Sequence, residues 1–128
     1  MENIKATVNE TVTDLNTAKS VGSGSLAVYA TPAMLALIEK AACVALEGAL
    51  NEGETSVGTL LNVKHLAATP VGMQVSATAE LVERDGRKLV FKVSASDECG
   101  LIGEGMHERF VVYSEKFTDK TYAKLNKE

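Results

Sequence analysis

Residues 31–50, TPAMLALIEKAACVALEGAL, carry the pattern on which the fold turns. Pro32 suits a first helical turn, where its missing N–H would have no intrahelical partner, and the Thr31 hydroxyl before it fits an N-cap. From Met34 to Leu50 the residues Leu35, Leu37, Ile38, Ala41, Ala42, Val44, Ala45, Leu46 and Ala49 place apolar side chains around most of the helix circumference. This predicts a helix from Pro32 to about Leu50 that other elements must cover. Asn51–Gly53 would end it, with Gly53 suited to a left-handed cap. Glu39, Lys40 and Glu47 interrupt the apolar run, and it is too short to span a bilayer.

Outward from that helix, the chain reads mostly as strand. Ile4, Ala6, Val8 and Val12 can share one face of a first strand. Lys19–Ser25, KSVGSGS, sustains neither period and reads as a loop, and Leu26–Tyr29 is a short apolar lead into the helix. Downstream, Val57–Ala67, Met73–Glu83, Lys88–Ser96 and Ile102–Ser114 are rich in Val, Thr, Ala and Leu. Turn signals at Pro70-Val71-Gly72, Asp85-Gly86 and Cys99-Gly100 separate them. Val75, Ala77, Ala79 and Leu81 alternate with Gln74, Ser76, Thr78 and Glu80, which predicts an antiparallel sheet with one face buried. One long apolar helix and a sheet can bury each other if the sheet curls around the helix, which is the α+β hotdog architecture. Such a sheet leaves an edge strand unpaired, so a homodimer is expected, and dimers could pair further into a tetramer.

The 128 residues fit a single domain, 1–128, with residues 116–128 as a polar C-terminal tail. A formal charge of -4, with Lys and Arg scattered, excludes the basic stripe that nucleic-acid binding needs. Cys43 and Cys99 lie far apart with no CxxC and no His at ligand spacing, so no metal site is expected and both read as free thiols. The opening MENIKATVNE has no apolar secretory core. Together with the unpaired thiols, this favours a reducing cytoplasm and no membrane association.

Ionisable residues inside apolar runs are the informative ones for chemistry. Glu39 lies at the boundary between the apolar face and a polar stripe that includes Lys40. Periodicity alone reads it as a surface carboxylate more readily than as a catalytic one. Thr31 alone reads as a cap, and His65 as a packed strand residue or a proton carrier near neutral pH. His107 and Arg109, in GEGMHERF, follow glycines that mark bends or bulges in a strand and do not form a phosphate loop. There is no GxSxG elbow, and Cys43 is mid-helix, away from the dipole that would activate a thiolate.

Taken together, YATPAMLALIEKAACVAL, TSVGTLLNVKHLAATPVGMQVSATAEL, DGRKLVFKVSASD and IGEGMHERFVV resemble the fluoroacetyl-CoA thioesterase family of hotdog proteins over roughly Val28–Phe117. The most specific part is His65–Pro70, HLAATP, followed by Gly72. The resemblance implies hydrolysis of an acyl-CoA thioester, without a cofactor, at a site shared by two subunits. It maps the catalytic roles onto Thr31, Glu39 and His65. It also implies that Gly58 lines the site and can offer its N–H to the thioester oxygen, and that Arg109 lies near the acyl or CoA end. A carboxylate can attack the carbonyl or position water, an imidazole can carry protons, and N–H donors can stabilise an oxyanion.

Members of that family specialised for fluoroacetyl-CoA carry a longer, aromatic-containing lid before the helix. Here Thr13–Ala27 is short and contains no Phe, Trp or Tyr, so strong fluoroacetate selectivity is not expected. A noncatalytic hotdog module that binds an acyl-CoA or another apolar ligand would have the same fold. A hydratase on this fold would want a His where Thr31 stands. Convergence of Thr31, Glu39 and His65 in one pocket discriminates the enzyme from the binding module.

Overall fold

The computed structural model describes residues 3–127. Met1 and Glu2 of the N-terminal stretch, and Glu128 of the tail, lie outside the described residues. In chain order the elements are β1 (Lys5–Thr11), α1 (Ala18–Val21), α2 (Thr31–Ala45), β2 (Glu54–His65), β3 (Gln74–Asp85), β4 (Lys88–Asp97), β5 (Gly100–Tyr113), α3 (Ser114–Tyr122) and a 3-10 turn at Ala123–Leu125. The five strands form one antiparallel sheet in the order β1-β3-β4-β5-β2. None of the described helices is long and apolar enough to cross a membrane.

Helix α2 lies on the sheet, packed chiefly against β1 and β3. Met34, Leu37, Ile38, Ala41 and Ala42 are buried against Val75, Ala77 and Ala79 of β3, Leu89, Phe91 and Val93 of β4, and Val111 of β5. The alternation read along β3 therefore marks the core face, and Leu89, Phe91, Val93 and Ala95 of β4 are buried on the same period of two. The helix is not wrapped all round, since Ala36, Lys40, Cys43 and Glu47 form an exposed stripe at helical spacing.

Several local readings are corrected. The helix ends at Ala45, earlier than Leu50, because Gly48 adopts a left-handed φ of 79° soon after the cap at Leu46. Leu46 still faces the core, which is why the apolar pattern ran on. Gly53 does have positive φ, but it serves the turn into β2, accepting from the Ser114 N–H. Thr31 is not the cap: Ala30 holds that position and no side chain caps the helix, so Thr31 is the first helical residue. The Gly/Ser loop begins with the short helix α1, capped by the Thr17 hydroxyl on the Ser20 N–H.

The β3–β4 hairpin sits one residue later than the Asp85-Gly86 reading. Asp85 pairs with Lys88, leaving Gly86 and Arg87 as the loop, and Gly86 takes the positive φ that the first position of a type II′ turn requires. The tail is also not featureless. SEKFTDKTY contains no Gly or Pro and forms α3, exposed throughout.

Candidate active site

Two clusters of functional side chains arise along α2. At its first residue, Thr31 Oγ1 is 2.7 Å from Nδ1 of His65, the last residue of β2. The antiparallel register sets His65 opposite Gly103 of β5. There a Cβ would press on Met34 and on the Lys64 carbonyl, so only glycine lets helix and strands meet this closely. His65 Nε2 is buried and has no hydrogen-bond partner among the described residues. Burial lowers the pKa of His65 below its ordinary 6.5, so the ring is neutral at physiological pH. A cleft of about 310 Å³ opens here, with Ala18, Val28, Tyr29, Thr31, His65 and Leu66 in its walls.

Glu39 lies eight residues further along the helix, about 12 Å at 1.5 Å per residue. Its side chain is 40% exposed, and its carboxylate faces β2 and β5. Arg109 Nη1 stands 3.7 Å from Glu39 Oε2, and the Arg109 side chain is only 6% exposed. Gly58 packs directly under this pair. A Cβ there would collide with Glu39 Oε2 and would lie 3.3 Å from His107 Cε1 and 3.4 Å from Arg109 Nη1. A bulge follows at once, since Gly58 pairs with Arg109 and Leu60 with Glu108, leaving Thr59 as the extra residue. Arg109 Nε donates to Ser56 Oγ at 2.7 Å and Nη2 to the Ser56 carbonyl at 3.0 Å.

The five residues singled out from the sequence thus fall into two groups within one chain: Thr31 with His65, and Glu39 with Gly58 and Arg109. No hydrogen bond or ion pair joins the groups among the described residues. Sequence reasoning passed over His107, which is fully buried in the second group, with Nδ1 2.8 Å from the Leu60 carbonyl oxygen. Its signal was the period of two through His107, Arg109 and Val111, all buried on one face of β5. The glycines before it obscured that pattern. They are sites of close strand approach, with one bulge at Ile102, where Ala95 pairs with Gly103 and Ser96 with Leu101. Cys43 and Cys99 are both exposed free thiols, Cys43 one helical turn beyond Glu39.

Residues 12–115 match the family described as fluoroacetyl-CoA-specific thioesterase. The fluoroacetyl-CoA thioesterase of Streptantibioticus cattleyicolor is 46% identical over 97 residues, covering 76% of this chain and 70% of that protein. A crystal structure of the fluoroacetyl-CoA thioesterase FlK superposes with a TM-score of 0.88 at 38% identity, over 94% of this chain and 93% of the other. A mutant of the same enzyme in complex with acetyl-CoA superposes equally well, at 38% identity over 94% and 95% of the two chains. A Thermus thermophilus thioesterase superfamily member also reaches a TM-score of 0.88, at 29% identity over 99% and 93%. With the family match over residues 12–115, the 46% identity to a family member and the shared hotdog fold, this chain belongs to the fluoroacetyl-CoA-specific thioesterase family of thioester hydrolases.

Proposed function

We propose that this protein is a cytoplasmic acyl-CoA thioesterase that hydrolyses small acyl-CoA thioesters to the free acid and CoA. We place its active sites at the interface of a homodimer. The observation that carries this reading is His65. Thr31 engages one ring nitrogen, the other is buried without a hydrogen-bond partner among the described residues, and the residue lines a cleft. With Nδ1–H donating to the Thr31 hydroxyl, Nε2 presents a lone pair and acts as the general base. It takes a proton from water as the water oxygen bonds to the thioester carbonyl carbon. The C–S bond then breaks and the proton passes to the departing CoA thiolate. Glu39 orients that water by accepting its second O–H, and the Gly58 N–H donates to the developing oxyanion. A thioester needs no metal or cofactor for this, because thiolate is a good leaving group. The two exposed thiols suit a reducing compartment.

The dimer supplies what one chain keeps apart. Strand β2 is at a sheet edge and, among the described residues, pairs only with β5, and Leu60 and Leu66 on or beside it are exposed. Antiparallel pairing of β2 with its copy, centred between Leu61 and Asn62, sets Gly58 opposite His65 of the second copy. Glu39 of one protomer then meets the Thr31–His65 pair of the other.

Mixing two inactive variants tests this. Glu39→Gln and His65→Ala protomers are unfolded, combined and refolded, and acyl-CoA hydrolysis is measured. Half of the dimers are then mixed, and each has one intact site of its two, so about a quarter of normal activity returns. No recovery from folded, mixed dimers would mean that each site lies within one chain. Failure of the wild-type protein to release thiol from any of a panel of acyl-CoAs would favour a noncatalytic binding module.

A further inference from the structure

We infer that His107 is a positioning residue that aims Arg109 at Glu39. The side chain is completely buried, and its protonation is set by its two partners. Nδ1 lies 2.8 Å from the Leu60 carbonyl oxygen, which can only accept, so Nδ1 carries the ring proton. Nε2 lies 3.3 Å from Arg109 Nη1, which can only donate, so Nε2 accepts. The imidazole is therefore a neutral bridge from the β2 backbone to the guanidinium.

Ser56 alone would leave Arg109 a hinge. It accepts from Nε and Nη2, along one edge of the fork, about which the Nη1 side could swing. The third bond, from Nη1 to His107, removes that freedom, and Nη1 is the nitrogen that stands 3.7 Å from the Glu39 carboxylate. The charged groups facing His107 are Arg109 of β5 and Glu39 of α2; Phe91 of β4 packs beside its ring at 6.2 Å between centroids. Burial and the Arg109 charge both keep the ring neutral, so the acceptor persists at physiological pH. The absence of a Cβ at Gly58 leaves room for Glu39, His107 and Arg109 to converge. His107 touches no substrate in this arrangement and acts through Arg109.

The assignment is tested in two ways, one of which does not depend on the thioesterase reading on which the kinetic part rests. Nitrogen-15 NMR of the wild-type protein should show, beside the signals of His65, a histidine with Nδ1 protonated and Nε2 bare whose signals disappear in His107→Gln. A protonated Nε2 at His107 overturns the inference whether or not any acyl-CoA is hydrolysed. In the kinetic arm, His107→Leu should lower kcat by roughly tenfold with KM little changed. His107→Gln, whose amide can donate to Leu60 and accept from Arg109, should recover most of that loss. In an Arg109→Lys background, His107→Leu should cost less than about twofold, because the residue that transmits its effect is gone. An equal loss in both backgrounds would show a merely structural role and overturn the inference. If the Leu variant does not fold, the Gln variant and the nitrogen shifts decide.

Discussion

The Thr31 hydroxyl is bonded to His65 Nδ1 at 2.7 Å, and it caps no helix N–H. A residue of the type that helix starts recruit for capping stands one position past the cap, and its hydroxyl engages a partner 34 residues away. Ala30 holds the cap position without a side-chain acceptor, at a cost of about 1 kcal/mol relative to a Ser, Thr, Asp or Asn cap.

Replacing either principal group should therefore separate activity from folding. His65→Ala and Glu39→Gln are each expected to lower thioester turnover by roughly a hundredfold or more, as loss of a general base or water-orienting carboxylate does. Both side chains are only partly buried, so both variants should fold. Thiol release from a short acyl-CoA, read beside circular dichroism, makes the comparison. A folded variant with near-normal rates removes that residue from the site.

Gly58→Ala should be nearly as damaging although it adds one methyl group. Its Cβ overlaps Glu39 Oε2 and crowds His107 and Arg109, so the carboxylate must turn away. Turnover is expected to drop by roughly tenfold or more while the sheet is retained, because Gly58 has no positive φ to lose. A crystal structure of the variant with Glu39 unmoved and activity intact would count against the placement of Gly58 in the site.

The two histidines also set an acid limit on stability. Burial holds both His65 and His107 below the ordinary 6.5, so below that pH the unfolded chain binds more protons than the folded one. Stability from this source is present above 6.5 and is lost as pH falls through the folded-state values. Asp97, accepting from Thr69, Cys99 and Gly100, is also depressed, but its stabilisation is fully present above its ordinary 3.8 and is lost only as pH falls below that value. The urea midpoint should accordingly fall between about pH 8 and about pH 5.5, with a smaller fall in His107→Gln. A midpoint that rises on acidification contradicts the assignment.

Substrate choice should follow the segment before α2. Its contribution to the cleft wall is Ala18 and Ser23, small side chains on and just after α1, with Val28 and Tyr29 at the entry to the helix, where Tyr29 is buried and tied to Glu10 through its hydroxyl. A pocket of this kind separates near-isosteres by only ~1–3 kcal/mol. The ratio of kcat/KM for fluoroacetyl-CoA to that for acetyl-CoA, corrected by their hydroxide hydrolysis rates, should stay within about two orders of magnitude. A preference many times larger would show that this segment gates the site.

The sequence by itself determined the core helix, the number and approximate bounds of the strands, and the separation of Thr31 from Glu39. Apolar periodicity, Pro32 and the Gly-containing turns are local signals, and they act within a few residues of where they are written. It also carried the family pattern, centred on HLAATP. What it left open depended on contacts between distant segments. Helix α2 stops at Ala45 because Gly48 turns left-handed, while Leu46 continues the apolar pattern by packing in the core. His107 is buried because β5 lies between β2 and β4, a pairing no window of ten residues contains. Thr31 meets His65, and Arg109 meets Glu39, only when sheet register brings their elements together. The same geometry holds the two groups apart along the helix, because side chains two turns apart on a rigid rod cannot close that gap within one chain.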